Sequence, residues 1–179
     1  MMNLNKLFAT QKVLRDKIGY TGEDRFHKLI LALLVEVGEC ANEWRGFKFW
    51  SKDQEPRTTI GVVKSRNNIT GYTERGIKNP LLEEYVDGLH FVLEIGLEIE
   101  LDDFIYNPSH NHKYKDENVT RQFVLVSWFT TQMLEDDFYD ALVNSFIELG
   151  FMLGFSWEQI EQAYFEKNKV NHERQENGY

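Results

Sequence analysis

The spacing of apolar side chains along the chain predicts six helices. Apolar residues recur three or four positions apart in six segments, as on one face of a helix. These segments cover about residues 4–18, 23–44, 80–101, 118–134, 136–153 and 156–175. Pro80 opens the third segment, where a helix tolerates proline, and Ser156 with Gln159 forms a capping box before the sixth. The pattern therefore predicts an all-α helical bundle in one domain, residues 1–179.

One segment breaks the helical pattern. Residues 46–79 are rich in glycine and contain short β-prone runs such as 58–63, which predict at most a small hairpin. We define residues 52–79 as the insert between helices two and three. Its six basic residues against three acidic ones give it a net charge of +3, whereas the whole chain carries −9. The insert is interpreted as a lid, a dimer element, a surface for a regulatory protein, or a solvated loop.

Composition excludes several classes of protein. A hydrophobic content of 42% is enough for a core, so the chain is not disordered. Cys40 is the single cysteine, which excludes a disulfide framework and a zinc-finger cluster. No apolar run is long enough for a membrane span, and no signal-peptide pattern occurs, so we expect a cytoplasmic location. The negative charge disfavours direct binding of nucleic acid, because it repels phosphates.

Two pairs of acids stand three residues apart on neighbouring predicted helices, Glu36 with Glu39 and Glu84 with Asp87. The third helix is apolar on almost every side, which predicts a central position in the fold. A carboxylate in apolar surroundings is costly unless it is paired or bound to a metal. Four carboxylates in one groove would suit Mg²⁺, which prefers oxygen ligands. Alternatively, these acids pair with Lys or Arg or face solvent.

The last helix carries a cationic face. Lys167, Asn171 and Arg174 stand at positions i, i+4 and i+7, and Tyr164 precedes Lys167 by three. Two cations with an amide between them suit a polyphosphate, since lysine acts as a point charge and arginine as a fork. The alternative is an ordinary basic last turn that complements the helix dipole.

Three segments carry a resemblance to a known family. They are LLVEVGECANEWRGFKFWS at 33–51, LLEEYVDGLHFVLEIG at 81–96 and AYFEKNKVNHERQENGY at 163–179. The chain resembles the dimeric all-α dUTP diphosphatases (dUTPases), within the all-α NTP pyrophosphatase superfamily that includes MazG. E-x-x-E followed by E-x-x-D marks the superfamily, and the FKFWS, DGLHF and K-N-x-V-N-x-x-R-Q segments indicate the dUTPase branch. The short chain is similar to compact bacterial and phage-borne members.

The resemblance implies a role for each of a set of residues. The metal ligands and catalytic residues would be Glu36, Glu39, Glu84 and Asp87, holding two or three Mg²⁺ ions for which Mn²⁺ substitutes. The nucleoside pocket would be formed by Gln11, Lys48, Trp50, His90 and Phe91, with uracil stacked on Phe91 and the backbone at His90 near the edge of the base. The phosphates would be held by Lys167, Asn171 and Arg174, with Tyr164 as a helper. For the aromatic residues and His90, the alternative is an ordinary place in the core.

The resemblance also implies an activity. A homodimer would hydrolyse dUTP, and dUDP, to dUMP, releasing pyrophosphate or phosphate and keeping uracil out of DNA. A metal-activated water would attack a phosphoryl group, in the host cytosol if the protein is phage-encoded. Two alternatives are a broader MazG-like or dCTP pyrophosphatase, and a helical binding protein that engages a regulatory partner through the insert.

Overall fold

A computed structural model describes residues 3–66, 73–101, 115–136 and 138–178. These ranges contain six α-helices and one two-stranded sheet, which confirms the predicted all-α class. The elements are α1 (Leu4–Ile18), α2 (Arg25–Trp44), β1 (Ile60–Arg66), β2 (Thr73–Lys78), α3 (Pro80–Glu98), α4 (Val119–Gln132), α5 (Tyr139–Met152) and α6 (Trp157–Glu176). No helix among the described residues has both the length and the apolar character needed to cross a membrane.

Some helix boundaries differ from the predicted ones for local reasons. α2 begins at Arg25, and its preceding residue, Asp24, makes no capping bond, because its carboxylate accepts from the Tyr20 hydroxyl at 2.6 Å. α2 ends at a left-handed residue, Arg45, with φ 65°, although Gly46 follows it. α3 stops at Glu98 because Glu100 takes φ 62° and turns the chain away. The capping box of α6 is confirmed.

Helix α3 lies at the centre of the bundle, as its apolar sequence predicts. It packs against α1, α2, α5 and α6, and Leu81, Leu89 and Ile95 are each at most 1% exposed. α2 runs antiparallel to α3, because Cys40 near its end contacts the Leu81 carbonyl while Arg25 at its start reaches Glu94. This arrangement sets the middle of α2 beside the middle of α3.

Gly88 allows the close packing at that central point. A Cβ at this position would lie 2.9 Å from the ring of Phe146 on α5 and 3.7 Å from the Cβ of Glu36 on α2. Contacts of 2.9 Å are shorter than carbon atoms tolerate, so any larger residue would push α5 away from α3. The glycine therefore brings three helices together next to Glu84 and Asp87.

The insert forms the antiparallel hairpin of β1 and β2, in which Ile60 pairs with Lys78. The two strands contact each other far more than they contact any helix. The hairpin joins the helices through its base, where the Arg57 amide donates to the Glu43 carbonyl and the Leu81 amide donates to the Arg57 carbonyl. The small predicted hairpin is therefore present, and it is longer than residues 58–63.

Candidate active site

Three of the four predicted ligand carboxylates converge in the structure. One carboxylate oxygen each from Glu36 and Glu39 on α2 and from Glu84 on α3 lies within 4.8 Å of the other two. Both helices place acids one turn apart on the surface where the two helices meet. Antiparallel packing of α2 on α3 therefore brings the acids of one helix next to those of the other. We call Glu36, Glu39 and Glu84 the acidic cluster. Oxygen atoms this close together can serve one hard divalent cation.

Crowding of negative charge shifts the acidity of this cluster. Partial burial, followed by the charges of Asp87, Glu39 and Glu84, raises the pKa of Glu36 to about 7. Burial, with the charges of Asp87 and Glu39, raises the pKa of Glu84 to about 7 as well. Repulsion of this kind is relieved by protons or by a cation. The donor set and its electrostatics therefore fit a divalent metal ion.

Asp87, the fourth predicted ligand, is held by a lysine. The Lys167 ammonium lies 2.5 Å from an Asp87 carboxylate oxygen and 3.5 Å from one of Glu83. Burial raises the pKa of Asp87, and the hydrogen bond and charge of Lys167 act against that rise. Asp87 therefore borders the acidic cluster, while its own charge is offset by a residue predicted to bind phosphate.

The shifted carboxyl groups predict a pH-dependent stability. Glu36 and Glu84 bind more protons in the folded protein than in the unfolded chain between about pH 4.5 and 7, because their pKa values are raised, whereas the lowered pKa of His90 acts in the opposite direction. Glu36 and Glu84 should therefore lower the free energy of unfolding of metal-free protein by about 1–3 kcal/mol as pH rises through that window, after screening at partly exposed sites. Thermal unfolding of wild type and Glu36→Gln at pH 5, 6, 7 and 8 measures the difference.

Two comparisons complete the pH experiment. Glu36→Gln should show a shallower fall in stability with pH than wild type, and the exposed control Glu173→Gln should match wild type. Equal pH slopes for wild type and Glu36→Gln would contradict the crowding of the acidic cluster. At pH 8, added Mg²⁺ should raise the unfolding temperature of wild type more than that of Glu36→Gln, since bound ligand stabilises the folded state.

A cavity lies one helical turn beyond the Asp87–Lys167 pair. Its volume is about 380 Å³, which falls within the range of small-molecule sites. It brings together five of the predicted substrate-binding residues from three helices, namely Gln11, His90, Phe91, Asn171 and Arg174. Phe91 follows Asp87 by four residues on α3, and Asn171 follows Lys167 by four on α6. The cavity thus lies next to the Asp87–Lys167 pair, which borders the acidic cluster.

A hydrogen-bonded network forms the inner wall of this cavity. Gln11 donates from Nε2 to Glu94 at 2.7 Å, and its Oε1 accepts from the Tyr164 hydroxyl at 2.7 Å. His90 Nδ1 lies 2.7 Å from the same Gln11 oxygen, and the His90 and Tyr164 rings stack at 4.3 Å. Tyr164 is fully buried, so its hydroxyl holds the Gln11 side chain in place from the core side of the cavity wall.

Glu94 and Arg25 are members of this wall that sequence reasoning did not select. Arg25 pairs with Glu94 at 3.3 Å, and both line the cavity. Glu94 follows Asp87 by seven residues and so shares its face of α3, which is the one sequence signal that could have identified it. Arg25 carries no such signal, because it reaches Glu94 only through the packing of α2 on α3.

Lys48 and Trp50 do not join the cavity within one chain. The Lys48 ammonium contacts the side chain of Asn42, and Trp50 is 65% exposed. Leu29 lines the cavity near the start of α2, whereas these two residues follow its end. The fifteen residue-to-residue steps from Leu29 to Trp44 span roughly 22 Å of helix. The acidic cluster therefore lies between them and the cavity.

A comparison with known protein families matches nearly all of the chain, including the acidic cluster and the cavity. A family model described as dUTPase matches residues 3–63 and 73–179 of the chain. The match includes all six helices, the acidic cluster, Asp87 and the residues that line the cavity. A comparison with curated proteins finds no match to the chain.

Proposed function

Because the chain belongs to the dUTPase family and is therefore a dUTP diphosphatase, we propose that its reaction is Mg²⁺-dependent and takes dUDP as well as dUTP to dUMP. The observation that carries this proposal is the convergence of Glu36, Glu39 and Glu84 within 4.8 Å, beside a cavity that we propose as the nucleoside pocket. Asp87 at the edge of the cluster is the fourth proposed ligand.

The site suits Mg²⁺ by its donor atoms and its charge. The proposed ligands are all carboxylates, and hard oxygen ligands favour Mg²⁺ or Mn²⁺ over softer metals. Two or three such ions would offset the negative charge that raises the pKa of Glu36 and Glu84. When bound, the ions would polarise the phosphoryl group and activate a water as nucleophile. We propose that the four acids hold them.

Helix α6 supplies the proposed phosphate site. The Lys167 side chain is 15% exposed and reaches from α6 to Asp87 on α3. Asn171 and Arg174 follow it along the same helix face towards the cavity. A polyphosphate with its base in the cavity would run back along this face towards the acidic cluster. We propose that Lys167 and Arg174 bind the phosphate oxygens as charge-assisted donors and that Asn171 adds a neutral one.

Phe91 is proposed to stack on the base. Its ring is partly buried against the core and lines the cavity, so one face can meet a planar pyrimidine.

A homodimer would reconcile this cavity with Lys48 and Trp50, which lie roughly 20 Å away in the same chain. We propose that a second copy brings these residues to the pocket, because Phe49 and Trp50 are 85% and 65% exposed.

A substrate panel tests the proposed reaction. Purified protein is assayed with dUTP, dUDP, dCTP, dTTP and UTP in Mg²⁺, in Mn²⁺ and in a chelator. We expect kcat/KM for dUTP to exceed that for dCTP by at least about 100-fold, as in sites that read polar groups, and activity to vanish without metal. A preference for dCTP, or equal use of all five, would favour the broader MazG-like pyrophosphatase instead.

The insert supports a second, compatible role as a binding surface. An isolated two-stranded hairpin is marginally stable in water, and Ile77 on β2 is 76% exposed. The insert also carries a charge of +3 in an acidic chain. A regulatory protein partner at this surface would bind Glu39→Gln as well as wild type, which distinguishes it from substrate.

A cytoplasmic location and the lack of direct nucleic-acid binding stay predictions.

A further inference from the structure

Glu94 determines which way the Gln11 amide faces. A carboxylate only accepts hydrogen bonds, so the group that Gln11 turns towards Glu94 at 2.7 Å is its NH₂. Arg25 at 3.3 Å favours the ionised form of Glu94, against the burial that raises its pKa. Gln11 Oε1 therefore points away from Glu94 and accepts from the Tyr164 hydroxyl.

The Gln11 amide in turn determines the position of the proton on His90. Gln11 Oε1 is an acceptor, so His90 Nδ1 at 2.7 Å must carry the hydrogen of that bond. Burial, together with the charge of Lys167, lowers the pKa of His90 to about 3, and the ring is neutral. A neutral ring with its proton on Nδ1 has a lone pair at Nε2. Nε2 is therefore an acceptor.

This acceptor is buried and meets no partner among the residues that the structure describes. His90 is 5% exposed and lines the cavity that is proposed to hold the nucleoside. A buried polar atom without a hydrogen bond costs about 1–3 kcal/mol, and such atoms are few in folded proteins. The arrangement is explained if a donor on the ligand completes it.

We propose that Glu94 is a positioning residue for base selectivity: through Gln11 it holds the His90 proton on Nδ1 and so presents Nε2 as the acceptor for the N3–H of uracil. This inference rests on the proposed function, since it takes the cavity as the nucleoside pocket. Uracil has a hydrogen on N3, whereas neutral cytosine has a lone pair there. Two lone pairs would face each other with cytosine, so the pocket rejects it.

The test compares Glu94→Gln with wild type. A glutamine at 94 can donate as well as accept, so the Gln11 amide is free to turn and the proton can move to Nε2. We expect the ratio of kcat/KM for dUTP to that for dCTP to fall at least tenfold. Nitrogen-15 chemical shifts of the His90 ring should change from the Nδ1–H form towards the Nε2–H form, a readout that a merely structural residue would leave unchanged.

The matched control is Glu98→Gln. Glu98 pairs with Arg15 at 2.5 Å and with Arg25 at 3.4 Å, as Glu94 pairs with Arg25, and it bonds neither Gln11 nor His90 in the described contacts. Its variant should keep the selectivity within twofold and the Nδ1–H form. If Glu94→Gln does not fold, Gln11→Met removes the same link, and the same loss of selectivity is expected.

Binding of dUMP and dCMP is measured separately from hydrolysis. Wild type without turnover of dUTP would refute the proposed function, and the two affinities would still decide the role of Glu94. An Nε2–H ring in wild type would overturn the inference. So would a selectivity that stays within twofold of wild type in Glu94→Gln, or an equal loss of selectivity in Glu98→Gln.

Discussion

Glu39→Gln is expected to lower kcat for dUTP at least about 1,000-fold and to leave the fold intact. The substitution keeps the shape of the side chain and removes the negative charge that the proposed metal site needs. Loss of a group that helps to stabilise charge in the transition state commonly lowers kcat by a factor of this size. Glu39 is exposed, so no core packing is lost. Steady-state kinetics at saturating Mg²⁺ and dUTP, with circular dichroism for the fold, measure both effects.

The same variant should be more stable than wild type when metal is absent. The charge of Glu39 raises the pKa of both Glu36 and Glu84, so its removal relieves repulsion and should raise the unfolding temperature in chelator at pH 8. Loss of activity together with a gain in stability is the signature of a ligand. Glu173→Gln on α6 is the control, and it should change neither. More than a tenth of wild-type activity in Glu39→Gln would refute the metal site.

The double variant Lys167→Ala/Arg174→Ala should raise KM for dUTP about 100-fold, with a much smaller change in kcat. Each side chain is proposed to make a charge-assisted hydrogen bond to phosphate, and such bonds are worth about 1.5–3 kcal/mol when they are formed with a charged group. Both residues lie on α6, one beside Asp87 and one at the cavity. Initial rates over a range of dUTP concentrations separate KM from kcat.

Removing Lys167 also removes the partner of Asp87, so this experiment needs a stability check. A partly buried carboxylate without its cation destabilises the fold, and the assays belong well below the unfolding temperature with Mg²⁺ present. Lys169→Ala is the matched control, because Lys169 lies on the same helix, is exposed and pairs only weakly with Glu173 at 4.0 Å. An unchanged KM in the double variant would refute the phosphate role of this helix face.

The acidic charge of the chain is unevenly distributed in a way that suits this chemistry. The insert carries +3 of a total of −9, which leaves −12 on the other residues. Three of those acids meet in the acidic cluster, and Asp87 borders it. A net negative chain would repel a nucleotide polyphosphate, and the proposed site overcomes this by binding divalent cations and by placing Lys167 and Arg174 along the groove.

Local sequence patterns determined the elements of this fold. The six helices follow from apolar spacing. The start of α3 follows from Pro80 and from Asn79, whose side-chain oxygen accepts a hydrogen bond from the Leu82 amide at 3.1 Å. These features are predictable because each depends on residues only a few positions apart. The pairing of Glu36 with Glu39 on one face is equally local, since residues three apart on a helix are always neighbours.

Other features depended on contacts between distant residues. The acidic cluster needs Glu84 to meet α2, and Lys167 reaches Asp87 across 80 residues of sequence. The separation of Lys48 and Trp50 from the cavity also appeared only in three dimensions. A resemblance to a family indicates which roles residues play, but it does not give the distances between them. The sequence alone thus determined the all-α elements, the acid pairs and the family. Only the tertiary structure decided which charges are paired and which atoms, such as His90 Nε2, are buried without a partner among the described residues, because pairing and burial depend on how helices pack.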